Sequence, residues 1–222
     1  MNTILPADWP ATVDDARAMQ QRLRGQVVTE GPVERPRRIA GVDIHMAPDA
    51  GLTWAAVAVL DGSGLELTES AMAALPTGFP YVPGYLTFRE IPAALRALSL
   101  IQPPPDLLMV DGHGIAHPRR LGIAAHLGVI TGVPTIGVAK SRLFGRHDDP
   151  GMTRGSRTPL RSRGEVLGMV LRSRDGVAPL YVSVGHRISL EQAVELVLAS
   201  LTRYRLPEPT RLADKLSRMH PR

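Results

Sequence analysis

Three carboxylates stand where carboxylates are unusual. Asp43 lies inside "IAGVDIHM", between Val42 and Ile44, in a run that reads as a buried strand. Asp111 closes the apolar run "LLMV", and Glu90 stands in "FREIP" ahead of a helix. An unpaired buried carboxylate is costly, so Asp43 requires a cation or several donors. If the first strand takes a parallel neighbour from a later βαβ unit, Asp43 and Asp111 come side by side. Two adjacent carboxylates repel unless a divalent cation lies between them. Glu90 also has a bland reading: it follows Thr87 by three residues, the spacing of a capping box, while Pro92 suggests a helix that starts later.

The stretch "MVDGHGIAHPRR", residues 109–120, adds to Asp111 two glycines, two histidines and two arginines. Gly112 and Gly114 allow positive φ or a close approach of the backbone to a ligand. His117 precedes Pro118, a good first helical residue, so Arg119 and Arg120 are expected in the first turn, where they oppose the helix dipole and favour a bound anion. His113 and His117 have the i, i+4 spacing of zinc helices, but the two glycines argue against a helix there. His113 and His126 are expected to be ordinary hydrogen-bonded residues. Lys140, in "GVAKS", can hold phosphate as a point charge or simply be solvated. "FPYVPGYL", residues 79–86, is a rigid loop carrying an aromatic ring, suited to wedging into a base stack or to packing on a surface. The segment 151–164 has four arginines and no acid, which fits either phosphate contacts or a flexible surface loop.

The elements that must position these residues alternate along the chain. A helix is expected within 11–28, then three strands within 37–46, 53–60 and 65–75, joined by the turn-rich loops "APDAGL" and "DGSG" as an antiparallel meander. Helices within 93–101 and 119–131 alternate with strands within 106–112 and 134–140, which implies parallel pairing. Strands near 165–171 and 179–185 follow, and a last strong helix starts at Ser189, with Gln192 at capping-box spacing. The fold class is therefore α/β, a mixed central sheet of an antiparallel meander plus parallel βαβ strands, flanked by helices. With 222 residues, 44% of them hydrophobic, a single domain over 1–222 is expected. The net charge of +5 suits a polyanionic partner. Without cysteine there is no disulfide or thiolate metal site, which points to Mg²⁺ or Mn²⁺ on oxygen ligands. The longest apolar run, "WAAVAVL", is too short for a membrane span, so a cytoplasmic protein is expected.

Taken in order, "AGVD", "PYVPGYLTFREIP", "VDGHGIAHPRRLGIAAHLGV" and "GVAKSRL" make the chain resemble the deoxyinosine-specific endonuclease V family from about Ile39 to Lys215. The resemblance implies a ribonuclease H-like fold. It implies cleavage of DNA at the second phosphodiester bond 3′ to a deaminated adenine, with Mg²⁺ or Mn²⁺, leaving a 3′-hydroxyl and a 5′-phosphate; some members act on inosine in RNA. It makes Asp43, Glu90 and Asp111 the metal-binding acids, with His117 and Lys140 near the scissile phosphate and Asp214 organising the metal site. Tyr81, Val82, Pro83 and Gly84 match the wedge. Leu86, Arg89, Gly112, Gly137 and Ser141 fall among the DNA- or lesion-binding positions. The implied protein is a monomer whose partner is deoxyinosine DNA. His45 and Met46, after Asp43, depart from the family pattern. Two other readings stand beside this one: a ribonuclease H-type enzyme on RNA/DNA hybrids, and a module that reads deaminated DNA without cutting it.

Overall fold

The computed structural model describes residues 1–31, 33, 35–47 and 51–219. The expected loop 47–52 falls partly outside the described residues, at positions 48–50. Eight strands form one mixed sheet: β1 Arg38–Ala47, β2 Leu52–Asp61, β3 Leu67–Pro76, β4 Leu107–Val110, β5 Thr135–Ala139, β6 Arg157–Ser162, β7 Glu165–Leu171 and β8 Leu180–His186, in the order β3-β2-β1-β4-β5-β8-β7-β6. β1, β2 and β3 are antiparallel, β1-β4 and β4-β5 are parallel, and β5 to β6 returns through antiparallel pairs. This is the expected meander joined to parallel strands.

Five helices among the described residues cover the sheet: α1 Val13–Arg24, α2 Thr87–Ser99, α3 Ile123–Thr131, α4 Leu190–Ala199 and α5 Glu208–Ser217. Alternation along each strand decides which helix it meets. Ala40, Val42, Leu108 and Val110 pack on α2 and α3 through Ile91, Leu95, Leu98, Ala124 and Leu127. Ile39, Leu107, Met109, Ile136 and Val138 face the opposite way, onto Ala193, Val194 and Val197 of α4. α5 lies on that second face, against Ala58 and Leu60 through Leu212, Ala213 and Leu216.

Three local expectations change. The helix within 119–131 begins only at Ile123, with Gly122 as its N-cap, so Arg119 and Arg120 stand in the preceding turn and not in the first helical turn. Tertiary bonds override the helix there: Arg120 is held at φ 59° and reaches Glu165 at 2.7 Å and the His117 carbonyl at 3.0 Å. α2 starts at Thr87, five residues before Pro92, which the helix tolerates in its interior. Thr87 makes no cap; its hydroxyl pairs with buried His126 at 3.1 Å, so the capping box with Glu90 does not form. Part of the arginine-rich segment is the edge strand β6 rather than a loop.

α5 approaches β1 so closely that a Cβ on Gly41 would stand 1.8 Å from the Pro209 carbonyl oxygen. Overpacking costs about 1–3 kcal/mol when a core cannot yield. Gly41→Ala is expected to lower unfolding free energy by about that amount, as read by denaturant titration, because α5 has to move away from the sheet; unchanged stability would refute this packing.

Candidate active site

The strand register assembles the acids. Ile39 pairs with Leu107 and Gly41 with Met109, so the next positions on the same face are Asp43 and Asp111. The Asp111 N–H donates to the Val42 carbonyl at 2.9 Å, which carries the pairing up to the end of β4. Both carboxylates therefore point to the face covered by α5. That helix brings Asp214, Ser217 and Arg218, at i, i+3 and i+4 on one side. One carboxylate oxygen from each of Asp43, Asp111 and Asp214 lies within 4.8 Å of the others. Lys140, just past the end of β5, donates at 2.5 Å to both Asp111 and Asp214. Ser217 Oγ donates to Asp43, and Arg218 to Asp214 at 3.0 Å. These groups, with His45, line a cavity of about 440 Å³.

The electrostatics follow from crowding. Burial pushes the Asp43 carboxyl up to about 6; the Ser217 hydroxyl opposes the shift, and the Asp111 charge adds to it. Burial would raise Asp214, but the hydrogen bonds from Lys140 and Arg218 hold it below the usual carboxylate range. Burial would likewise lower Lys140, and its bonds to Asp111 and Asp214 hold it above the ordinary lysine value. An oxygen-only set of three carboxylates suits a hard divalent cation, whose charge would relieve the repulsion that raises Asp43. Lys140 and Arg218 are the cations that neutralise part of that charge within the protein itself.

Glu90 stands apart from the three-acid cluster. It projects from the first turn of α2, and burial, followed by the Asp43 charge, raises it to about 7. It lines a second cavity of about 460 Å³ together with Asp111, Gly112, His113, His117, Leu86 and the loop Tyr81–Gly84. Asp111 is common to both cavities. Gly112, at φ +149°, makes the turn out of β4, and Gly137 sits behind it: a Cβ there would be 2.4 Å from the Gly114 nitrogen. Gly137 thus supports the turn from the sheet, and Ser141 offers its carbonyl to His113 Nε2 at 3.0 Å, so neither is part of the cavity lining.

His117 is buried and, through burial and then neighbouring Arg119, depressed to about 4, which leaves it neutral near pH 7. Its Nδ1 accepts the Arg119 N–H at 3.2 Å, which leaves Nε2 to carry the proton as a donor. The arginines expected to bind an anion at a helix start do other work. Arg119 donates to the Gly84 carbonyl at 3.0 Å and lies 4.4 Å over the Tyr85 ring. Gln20 of α1 donates to the same carbonyl at 3.0 Å, and Arg89 donates to Phe79 O at 2.9 Å. The loop is held at two carbonyls, Phe79 and Gly84, yet Tyr81 between them is 70% exposed, far more than a ring packed for stability. Gln20, Arg119 and Ser217 act across 64, 35 and 174 residues of sequence, separations that no local pattern reports, whereas Arg218 meets Asp214 at the ordinary i, i+4 spacing of a helix.

A family model described as Endonuclease V matches residues 21–215. The chain is 53% identical to the Endonuclease V of Trichormus variabilis, over 98% of this chain and 99% of that relative. It superposes on the crystal structure of Endonuclease V from Streptomyces avermitilis with a TM-score of 0.92 and 47% identity, covering 98% of this chain and 96% of that one. It also superposes, with a TM-score of 0.82 and 28% identity, over 93% of this chain and 95% of the other, on Ciona intestinalis Endonuclease V in complex with a 23mer DNA containing an inosine followed by a ribo-adenosine.

The raised carboxyls of Asp43 and Glu90 bind protons more tightly in the folded chain than their ordinary values of 3.8 and 4.5 would give. Their contribution favours the fold at low pH and is lost as pH rises through about 6 and about 7. Mg²⁺ or Mn²⁺ is therefore expected to raise the thermal midpoint clearly at about pH 8 and little at about pH 5, where protons compete for the ligands. A shift independent of pH, or none with either ion, would remove the metal site.

Proposed function

The chain belongs to the Endonuclease V family, and from that premise we propose that it nicks DNA at the second phosphodiester bond 3′ to a deoxyinosine, leaving a 3′-hydroxyl and a 5′-phosphate. The observation that carries this reading is the pair of adjoining cavities with Asp111 in both walls. One is acidic and suited to a divalent cation and a phosphate. The other is rimmed by a braced, aromatic-tipped loop and suited to an extruded base. A binding module has no use for three carboxylates near a phosphate, because without a cation they only repel it. The inosine-containing DNA bound to the Ciona intestinalis relative supports the same substrate class here.

In this reading Asp43 and Asp111 hold the cation, with Asp214 completing the cluster and Glu90 acting from the far side of Asp111. Mg²⁺ or Mn²⁺ bound there supplies Lewis-acid polarisation of the phosphate and a water of lowered pKa. Ser217 and Arg218 orient Asp43 and Asp214, as outer groups orient metal ligands elsewhere. Lys140 carries positive charge at the mouth of the acidic cavity, and neutral His117 presents its Nε2–H into the neighbouring one, where it can donate to a phosphate oxygen without gaining a charge. Tyr81 stacks in the gap that the extruded base leaves, and Val82, Pro83 and Gly84 keep the strands apart. An inosine pair is weaker than a normal one and opens at lower cost, which begins the selection. Backbone groups at the Gly112 turn complete it by pairing with O6 and N1–H of hypoxanthine, leaving no acceptor for the amino group of adenine.

The test is a labelled duplex with one inosine, incubated with Mg²⁺ or with EDTA beside an inosine-free control. A metal-dependent nick one nucleotide beyond the lesion is expected. Faster cutting of an undamaged RNA/DNA hybrid would favour a ribonuclease H-type enzyme, and binding without a nick would favour a reader. Asp111→Asn is expected to slow nicking by more than the about 10- to 100-fold that loss of an outer group costs, while Ser217→Ala stays within that range. Tyr81→Ala is expected to weaken binding of the inosine duplex by about 1–3 kcal/mol, the worth of one stacked base, with undamaged DNA little affected. Equal losses on both duplexes would count against the wedge.

A further inference from the structure

A third space, of about 590 Å³, opens between the loop that follows Lys140 and the β6–β7 hairpin. Arg142, Arg146, Arg161 and Arg163 line it with Leu143 and Phe144, and no acid takes part. All four arginines are exposed. Several arginines elsewhere are tied down: Arg38 to Glu69, Arg120 to Glu165, Arg172 to the Pro150 carbonyl, Arg211 to Glu208. Among the described residues, these four side chains have no such tie.

The backbone beneath them is fixed. Arg146 and Arg161 face one another in an antiparallel bridge, each N–H donating to the other's carbonyl at 2.8 Å. Like charges directly opposite in a bridge destabilise it. Arg163 sits at φ +51° and Gly164 at φ +84° in the two-residue turn of the hairpin, where asparagine or glycine is the ordinary first residue. Arginine therefore occupies two positions that local stability disfavours, and an anion between the guanidinium groups relieves the charge conflict. Leu143 lines both this space and the cavity behind the wedge loop, so the two adjoin.

We infer that the four arginines form a cradle for the phosphate backbone of duplex DNA beside the nucleotide held at the wedge cavity. The identity of the polyanion rests on the nuclease reading above; the charge geometry does not. Guanidinium groups suit phosphate oxygens through paired N–H donors. The cradle reads no sequence, so it contributes affinity and orientation alike on damaged and undamaged DNA.

The experiment measures binding of an inosine-free and an inosine duplex, in EDTA, against salt concentration. The proteins are the wild type, the double variant Arg161→Ser/Arg163→Asn and the double variant Arg142→Ser/Arg146→Ser. Asparagine keeps the left-handed turn, and a thermal melt of each variant reports its folding. Each lost phosphate contact is expected to reduce the slope of log K against log salt by about 0.9, on both duplexes, with several-fold weaker binding at low salt. Single-turnover nicking at saturating enzyme is expected to match the wild type. Wild-type slopes in both folded variants would overturn the cradle, as would a lost nicking rate at saturation. Because the inosine-free duplex reads the cradle without any cutting, absence of an inosine-dependent nick in the wild type would sink the nuclease reading separately.

Discussion

Two carboxylates at matching positions on neighbouring parallel strands repel each other, and the surroundings of β1 and β4 are built to contain that repulsion. Parallel pairing fixes Asp43 and Asp111 on one face in the middle of the sheet, at the carboxyl end of β4. The price is visible in Asp43, whose carboxyl is driven up to about 6 by burial and by Asp111 despite a bond from Ser217. Lys140 and α5 with its C-cap answer the conflict with an ammonium, a guanidinium, a hydroxyl and a third acid. Three acids against one ammonium and one guanidinium still leave an excess of negative charge, which suits a divalent cation.

The cavity lined by Glu90 depends on a different constraint, rigidity. Three side chains from separate elements hold the backbone carbonyls of the 79–86 loop at its rim. Arg119 connects that loop to the turn carrying His117, so Tyr81 and His117 share a brace. Glycine-sized surfaces at 112 and 137 let the turn lie against β5 at van der Waals contact, which fixes where the wall of the cavity stands.

Much of this was legible in the sequence because it is written in local contrast. A carboxylate inside an apolar strand, or at its end, is visible against its neighbours, and so are paired glycines and a proline-bound tyrosine. Strand and helix order followed from periodicity. Other features were not legible, because their causes lie far along the chain. The start of α3 is delayed by Arg120 reaching Glu165; Thr87 abandons its cap for His126; β6 exists because β7 offers an edge to a segment whose arginines read as loop. Asp214 carried a family likeness, but its neighbour Ser217 showed no sign of reaching a residue 174 positions earlier.

That last contact spans nearly the length of the chain. Strand β1 and the end of β4 set two acids in place within residues 38–111, but the third arrives only with α5, at 208–217. Contacts of such separation are slow to form, since a long loop must close before they return any stability. During synthesis the polypeptide therefore passes through a long interval in which the sheet can assemble while the acidic cluster remains incomplete. Until α5 docks, Asp43 and Asp111 stand without Asp214 and Ser217.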